Sequence, residues 1–144
     1  MRPTIAAALI AFLLSCSGGL AGPLRPEGAY RATDGSRAEL HIRYPRHGET
    51  NQARTRRFGL TLEIAINDAC SGGRAVQHEV RGSALDVHII RSDTSGGPEV
   101  CLDAITYNTF VVDISELRPG PYHVRVFYVY GGLLAWTPTV AVPG

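Results

Sequence analysis

Lysine is absent from this sequence: every one of its 14 basic residues is arginine. Scattered as they are, the arginines read as the codon bias of a GC-rich genome, with selection for bidentate anion contacts as the alternative. The 13 acidic residues bring the net charge to +1. Nucleic-acid binders carry a larger and more clustered basic excess, so that class of partner is set aside. A membrane-spanning run is lacking too. Ile5 to Leu14 is apolar but too short for a comfortable span. No stretch keeps a helical period, and there is no phosphate loop, nucleophile elbow or Asn-x-Ser/Thr site. What is present, 44% apolar and 19% charged residues, is ordinary for one globular domain.

Met1-Arg-Pro-Thr4 places a positive charge ahead of the apolar run, the layout of an export signal. The run closes with Phe12-Leu-Leu-Ser-Cys16. This resembles the lipobox of bacterial lipoproteins. The resemblance implies a signal peptide over Met1–Ser15, a lipid on the Cys16 thiol, cleavage before Cys16 and acylation of the new amino terminus. Ser17 after the cysteine implies onward transport to the outer membrane of a Gram-negative cell. Several acyl chains would give stable anchoring where one would not. Loss of Met1–Ser15 removes Arg2 and leaves arginine and acid in balance. The competing expectation is ordinary secretion after cleavage behind Ala21 in Gly19-Leu-Ala-Gly22, giving a soluble secreted or periplasmic protein. The three cysteines, Cys16, Cys70 and Cys101, leave an even pair under either reading. In an oxidising compartment Cys70 and Cys101 are expected to form one disulfide. On the chain-entropy model it would stabilise the domain by roughly 3–4 kcal/mol.

Residues 16–37, rich in Gly, Pro and Ala, read as a lipid-anchored flexible tether with Tyr30 as its docking residue. Residues 38–144 read as the domain. Ala38–Tyr44 alternates apolar and polar, as a half-buried strand does. Pro45–Arg57 reads as a polar loop. In Phe58–Asn67 the residues Phe58, Leu60, Leu62, Ile64 and Ile66 share one parity. Ala75–Arg81 and Ala84–Arg91 flank Gly82-Ser83 as a hairpin. Ser92–Pro98 is a turn cluster. Glu99–Tyr107 and Thr109–Ile114 read as one bent strand, followed by Tyr122–Tyr130, a Gly131-Gly132 hairpin and a last strand Leu133–Val142. Pro138 predicts an edge or an interruption in that last strand. Seven or eight short strands with turn signals between them predict an all-β fold, a single antiparallel β-sandwich, with a small closed barrel as the alternative.

The run Leu117-Arg-Pro-Gly-Pro-Tyr-His-Val-Arg-Val126 joins a Pro-Gly turn to an alternating strand. Leu117, Pro119, Gly120, Tyr122, Val124 and Val126 resemble the turn-and-strand run of fibronectin type III and related immunoglobulin-like domains. The resemblance implies a buried Tyr122 whose hydroxyl reaches back to the preceding backbone. It implies a superfamily-level fold and no particular function.

Ser95-Gly-Gly-Pro-Glu-Val-Cys101 is similar to the nucleophile segment of chymotrypsin-type peptidases, which would make Ser95 the nucleophile. Thr94 stands where that segment carries Asp, no His lies in the matching context, and the chain is too short for two barrels. A turn leading into a strand is the preferred reading. Five histidines are present. His41, His88 and His123 have outward parity, His47 lies in a loop and His78 keeps apolar parity. Their spacing favours no metal site. Asp86 with His88 and Glu39 with His41 are same-face pairs able to serve acid–base chemistry, and equally at home on a solvated strand face.

Two binding candidates remain. One is the arginine-rich loop from Arg43 to Arg57, with Arg46, Arg54, Arg56 and Arg57, suited to anionic lipid or an acidic protein. The other is an aromatic face at Phe127 and Trp136, suited to a glycan or protein partner. The expectation is a non-enzymatic, lipid-anchored envelope protein without cofactor, attached to the membrane by its N-terminal lipid. The alternatives are a small envelope hydrolase using Ser95 and a periplasmic metal-binding protein using surface histidines.

Overall fold

The computed structural model of this protein describes residues 25–67, 70–71, 73–91, 100–101, 107–128 and 132–144. All regular structure in them is strand: β1 Arg25–Arg31, β2 Arg37–Arg43, β3 Gln52–Arg56, β4 Gly59–Asn67, β5 Cys70–Ser71 and β6 Arg74–Arg81, then β7 Ala84–Arg91, β8 Val100–Cys101, β9 Tyr107–Ser115, β10 Gly120–Tyr128, β11 Gly132–Leu133 and β12 Thr139–Val142.

The strands form two five-stranded sheets and a two-stranded ribbon. The first sheet runs β1-β2-β9-β4-β3, with every neighbour antiparallel. The second runs β6-β7-β10, and both β11 and β12 pair with the far edge of β10. β5 and β8 make the ribbon.

Alternation decides which side chains face inward. Leu40, Leu60, Leu62, Ile64, Phe110, Val112 and Ile114 of the first sheet meet Leu85, Val87, Ile89, Val124 and Val126 of the second. All twelve are 0% exposed and belong to one core. Each such side chain stabilises the fold by roughly 2 kcal/mol relative to exposure. Neither sheet closes on itself, so the arrangement is layered and compatible with a sandwich, not a closed barrel.

Several expectations are corrected. The strands outnumber the seven or eight foreseen, because short edge pieces also pair. The fold is not wholly antiparallel: β7 and β10 are parallel, with Leu85 beside Val124 and Val87 beside Val126. A parallel pair needs a crossover, and here the chain visits the first sheet as β9 between the two strands. Arg25–Arg31, assigned to the tether, is strand β1; it sits at a sheet edge, where Pro26 and Gly28 are accommodated by a register shift. Gln52–Arg56, assigned to a loop, is the polar edge strand β3. Phe58 stands in a turn with φ 53° and is 42% exposed, outside the strand it was expected to begin.

Other expectations hold. Gly82, with φ 60°, takes the first turn position between β6 and β7. The last strand is interrupted around Pro138 into β11 and β12. Val124 N–H donates to the Pro138 carbonyl at 2.9 Å, so the break stays tied to β10. The signal segment, the Ser92–Pro98 turn cluster and Gly131 lie outside the described residues.

Candidate functional site

The outer face of the first sheet carries mostly polar and charged side chains in register. Across β2, β9, β4 and β3 the rows are Glu39, Asp113, Thr61 and Arg54, then His41, Val111, Glu63 and Gln52. Arg54 lies 3.7 Å from Glu63, and Arg56 lies 3.8 Å from Asp113. Thr61 Oγ1 donates to Asp113 at 2.5 Å. Two of the arginines counted in the polar loop therefore stand beside acids supplied by β4 and β9.

Residues 44–51 run from the end of β2 to the start of β3, past the ends of β9 and β4. Glu49 pins this loop. Its carboxylate accepts from both Nη1 and Nη2 of Arg43, the first at 2.8 Å. It also accepts from the Arg46 backbone N–H at 2.7 Å and from Thr109 Oγ1 at 3.0 Å. The Arg43 and Glu49 side chains are only 7% and 6% exposed. The Arg43 guanidinium, helped by the Arg46 amide and Thr109 against the cost of burial, holds the Glu49 carboxyl down at about 2. Asn51 Oδ1 receives the Ala65 N–H at 2.9 Å, fixing the other end of the loop. Tyr44, Pro45, Arg46, His47 and Gly48 project as an exposed tip, and Tyr44 is 61% exposed.

A second polar arrangement covers the outer face of the second sheet. Asp86 on β7 is buried, although its parity points away from the core. Arg125 grips it through Nε at 2.7 Å and Nη2 at 2.6 Å, and Arg81 Nη2 donates at 2.6 Å. Arg125 first, then Arg81, hold the carboxyl below its ordinary range against the cost of burial. Beside them His88 stacks on Phe127 at 4.8 Å, and the Arg125 guanidinium lies 5.7 Å from the same ring.

The third arrangement is internal. Ser36 Oγ lies 2.5 Å from Asp34 Oδ1 and 2.6 Å from His78 Nε2. Burial pushes the Asp34 carboxyl up, but hydrogen bonds from Ser36 outweigh it, so Asp34 is lowered and ionised at neutral pH. An ionised carboxylate only accepts. Ser36 must give it its single proton, and His78 must then donate to Ser36 through Nε2–H. His78 Nδ1 is thereby a bare lone pair, buried and without a hydrogen-bond partner among the described residues. This order of donors is the reverse of what activates a serine, and Ser36 is fully buried.

The structure separates residues the sequence grouped. Arg43 is buried, and Arg46 is at the loop tip. Arg54 and Arg56 are on β3, while Arg57 sits 5.2 Å over the Phe58 ring at the opposite end of the sheet. Phe127 faces outward, whereas Trp136 packs with Leu134 against the core, so the two make no common aromatic face. Glu39 and His41 lie 3.9 Å apart on β2. Cys16 and Ser95 lie outside the described residues; the backbone register of β5 and β8 sets Cys70 opposite Cys101. Among the described residues no three His, Cys, Asp or Glu side chains converge on a metal position, and no helix is long and apolar enough to cross a membrane. Sequence reasoning missed Glu63, Asp113, Asp34 and Ser36 as partners. His78, polar on an apolar parity, was the one local signal for the buried chain.

Comparison with family models, with curated proteins and with solved structures finds no match to this chain in any of the three.

Proposed function

We propose that this chain is a lipid-anchored, non-enzymatic module of the bacterial envelope. Cys16 carries the lipid, residues 17–24 form the leash, and the domain from β1 onward is an immunoglobulin-like β-sandwich that binds a partner or holds a structural position at the membrane surface. The observation that carries the non-enzymatic reading is the wiring of the ionisable groups. Glu49, Asp86, Asp34 and His78 each spend their hydrogen bonds holding strands or turns together. The immunoglobulin-like reading is supported by Tyr122, which is buried and donates from its hydroxyl to the Arg118 carbonyl at 2.9 Å.

The disulfide belongs to the same proposal. Directly opposed residues of an antiparallel pair have Cα atoms about 4.5–5.5 Å apart. Disulfides accept about 4.4–6.8 Å. The Cys70–Cys101 register therefore suits a bond that ties β5 to β8.

The test is metabolic labelling with a tagged acyl precursor, followed by mass analysis of the mature amino terminus. The wild type takes up label, and Cys16→Ser does not. Thiol alkylation of the unfolded, unreduced protein modifies neither Cys70 nor Cys101. A mature terminus at Gly22 without label would replace the anchor by ordinary secretion.

A further inference from the structure

We infer that the end of the domain carrying residues 44–48 faces the membrane, and that Tyr44 and Arg46 dock on the headgroups of an anionic bilayer and orient the domain. The inference rests on the lipid-anchor reading and adds to it the surface that meets the lipid.

Arg25 pairs with Ile42, so β1 begins at the end of the sheet where β2 finishes. The loop that follows β2 leaves from that same end. Whatever tethers the chain ahead of residue 25 therefore pulls on the end that presents Tyr44 and Arg46. The other end, with Arg57 and Phe58, lies a β4 length away, about 27 Å.

Residues 17–24 reach at most about 28 Å when fully extended. Bringing the Arg57 end to the bilayer would take up nearly the whole of that reach, while the Tyr44 end lies where the described chain begins.

Tyr44 offers an amphipathic ring, the side chain that favours the boundary between headgroups and water. Arg46 offers a guanidinium matched to phosphate oxygens. The one acid in the loop, Glu49, is buried against Arg43 and presents no repulsive charge. The tip is also held in shape before contact. Glu49 N–H donates to the Arg46 carbonyl at 3.1 Å, its carboxylate returns to the Arg46 N–H, and Gly48 supplies a φ of 70°. Little ordering is left to be done on docking. The acyl chains supply residence on the membrane; Tyr44 and Arg46 supply orientation.

The test is hydrogen exchange on the full acylated protein, reconstituted in phosphatidylglycerol vesicles and in phosphatidylcholine vesicles. The amides of Tyr44, Arg46, His47 and Gly48 exchange roughly fivefold more slowly on the anionic vesicles. The turn at 57–58 exchanges alike on both. The double variant Tyr44→Ala/Arg46→Ala loses the difference while keeping the wild-type Trp136 fluorescence. With the acyl mass verified, equal exchange of residues 44–48 on the two vesicles overturns the inference. So does protection that falls on 57–58 instead, or that survives in the double variant. Absence of the acyl mass is a separate readout: it overturns the anchor, and this inference with it.

Discussion

Replacing Glu49 by glutamine keeps the size of the side chain and removes its charge, so the variant mimics the protonated wild type. The carboxyl falls from 4.5 to about 2 in the folded protein. A displacement of that size corresponds to about 3 kcal/mol of stabilisation by the ionised form. The side chain is 6% exposed, so solvent screening takes little from this figure. The sign follows from the direction of the shift. A lowered carboxyl contributes fully above 4.5, and its contribution is lost as pH falls through the window down to about 2. Glu49→Gln should therefore be about 3 kcal/mol less stable at pH 7, a change of more than a hundredfold in the folding constant. The gap should narrow steadily below 4.5. Urea unfolding followed by Trp136, the chain's single tryptophan and packed against the core, provides the assay. Asp34 and Asp86 also titrate low, but they are common to both proteins and cancel in the difference. A gap below about 1 kcal/mol at neutral pH, or one that stays constant as pH falls, would refute the account of Glu49 as a buried ionic pin.

Three further outcomes follow from the other polar arrangements. Tyr122→Phe keeps the ring and loses the bond to the Arg118 carbonyl, so urea melts should show a loss of about 1 kcal/mol. Arg125→Ala leaves the buried Asp86 carboxylate short of a partner and should destabilise more than Asp86→Ala, which leaves only solvent-accessible guanidiniums; thermal melts of the two variants and their combination should show the second change rescuing the first. Burial lowers the His78 imidazole, against the opposing charge of Asp34, from its ordinary 6.5. Its contribution is thus full above 6.5 and is lost as pH falls through the lowered folded value. His78→Gln retains a donor toward Ser36 and should flatten that segment of the wild-type stability–pH curve.

Local signals made part of this fold legible. Strict alternation fixed the inward set of β4, and the Gly82-Ser83 turn announced the β6–β7 hairpin. Leu117 to Val126 foretold the buried Tyr122 and its backbone bond because turn and tyrosine lie within a few residues of each other. Features set by partners far away were not legible. β1 joins its sheet through backbone hydrogen bonds and needs no apolar alternation, so Pro26 and Gly28 read as a tether. Asp86 has the parity of a solvated residue, and only Arg125, thirty-nine positions on, makes it a buried anion. The excess of arginine between residues 43 and 57 looked like a free positive surface because Glu63 and Asp113, which stand beside Arg54 and Arg56, come from other strands. Proximity in sequence also misled at Arg46 and Arg57, which end up at opposite ends of one sheet.

The parallel pairing of β7 with β10 has a consequence in time. β10 is bounded by β7 on one side and by β11 and β12 on the other, so no strand of the second sheet beyond the β6–β7 hairpin has a place until β10 arrives. Its partner Leu85 is separated from Val124 by the whole intervening chain, including β9, which belongs to the opposite layer. Loops that long close late, and folds built on them form in milliseconds to seconds rather than microseconds. A chain delivered amino terminus first would leave one edge of β7 without its strand partner until the last quarter emerged. The docking of β10 is the step that joins the β6–β7 hairpin to β11 and β12 and completes the second sheet.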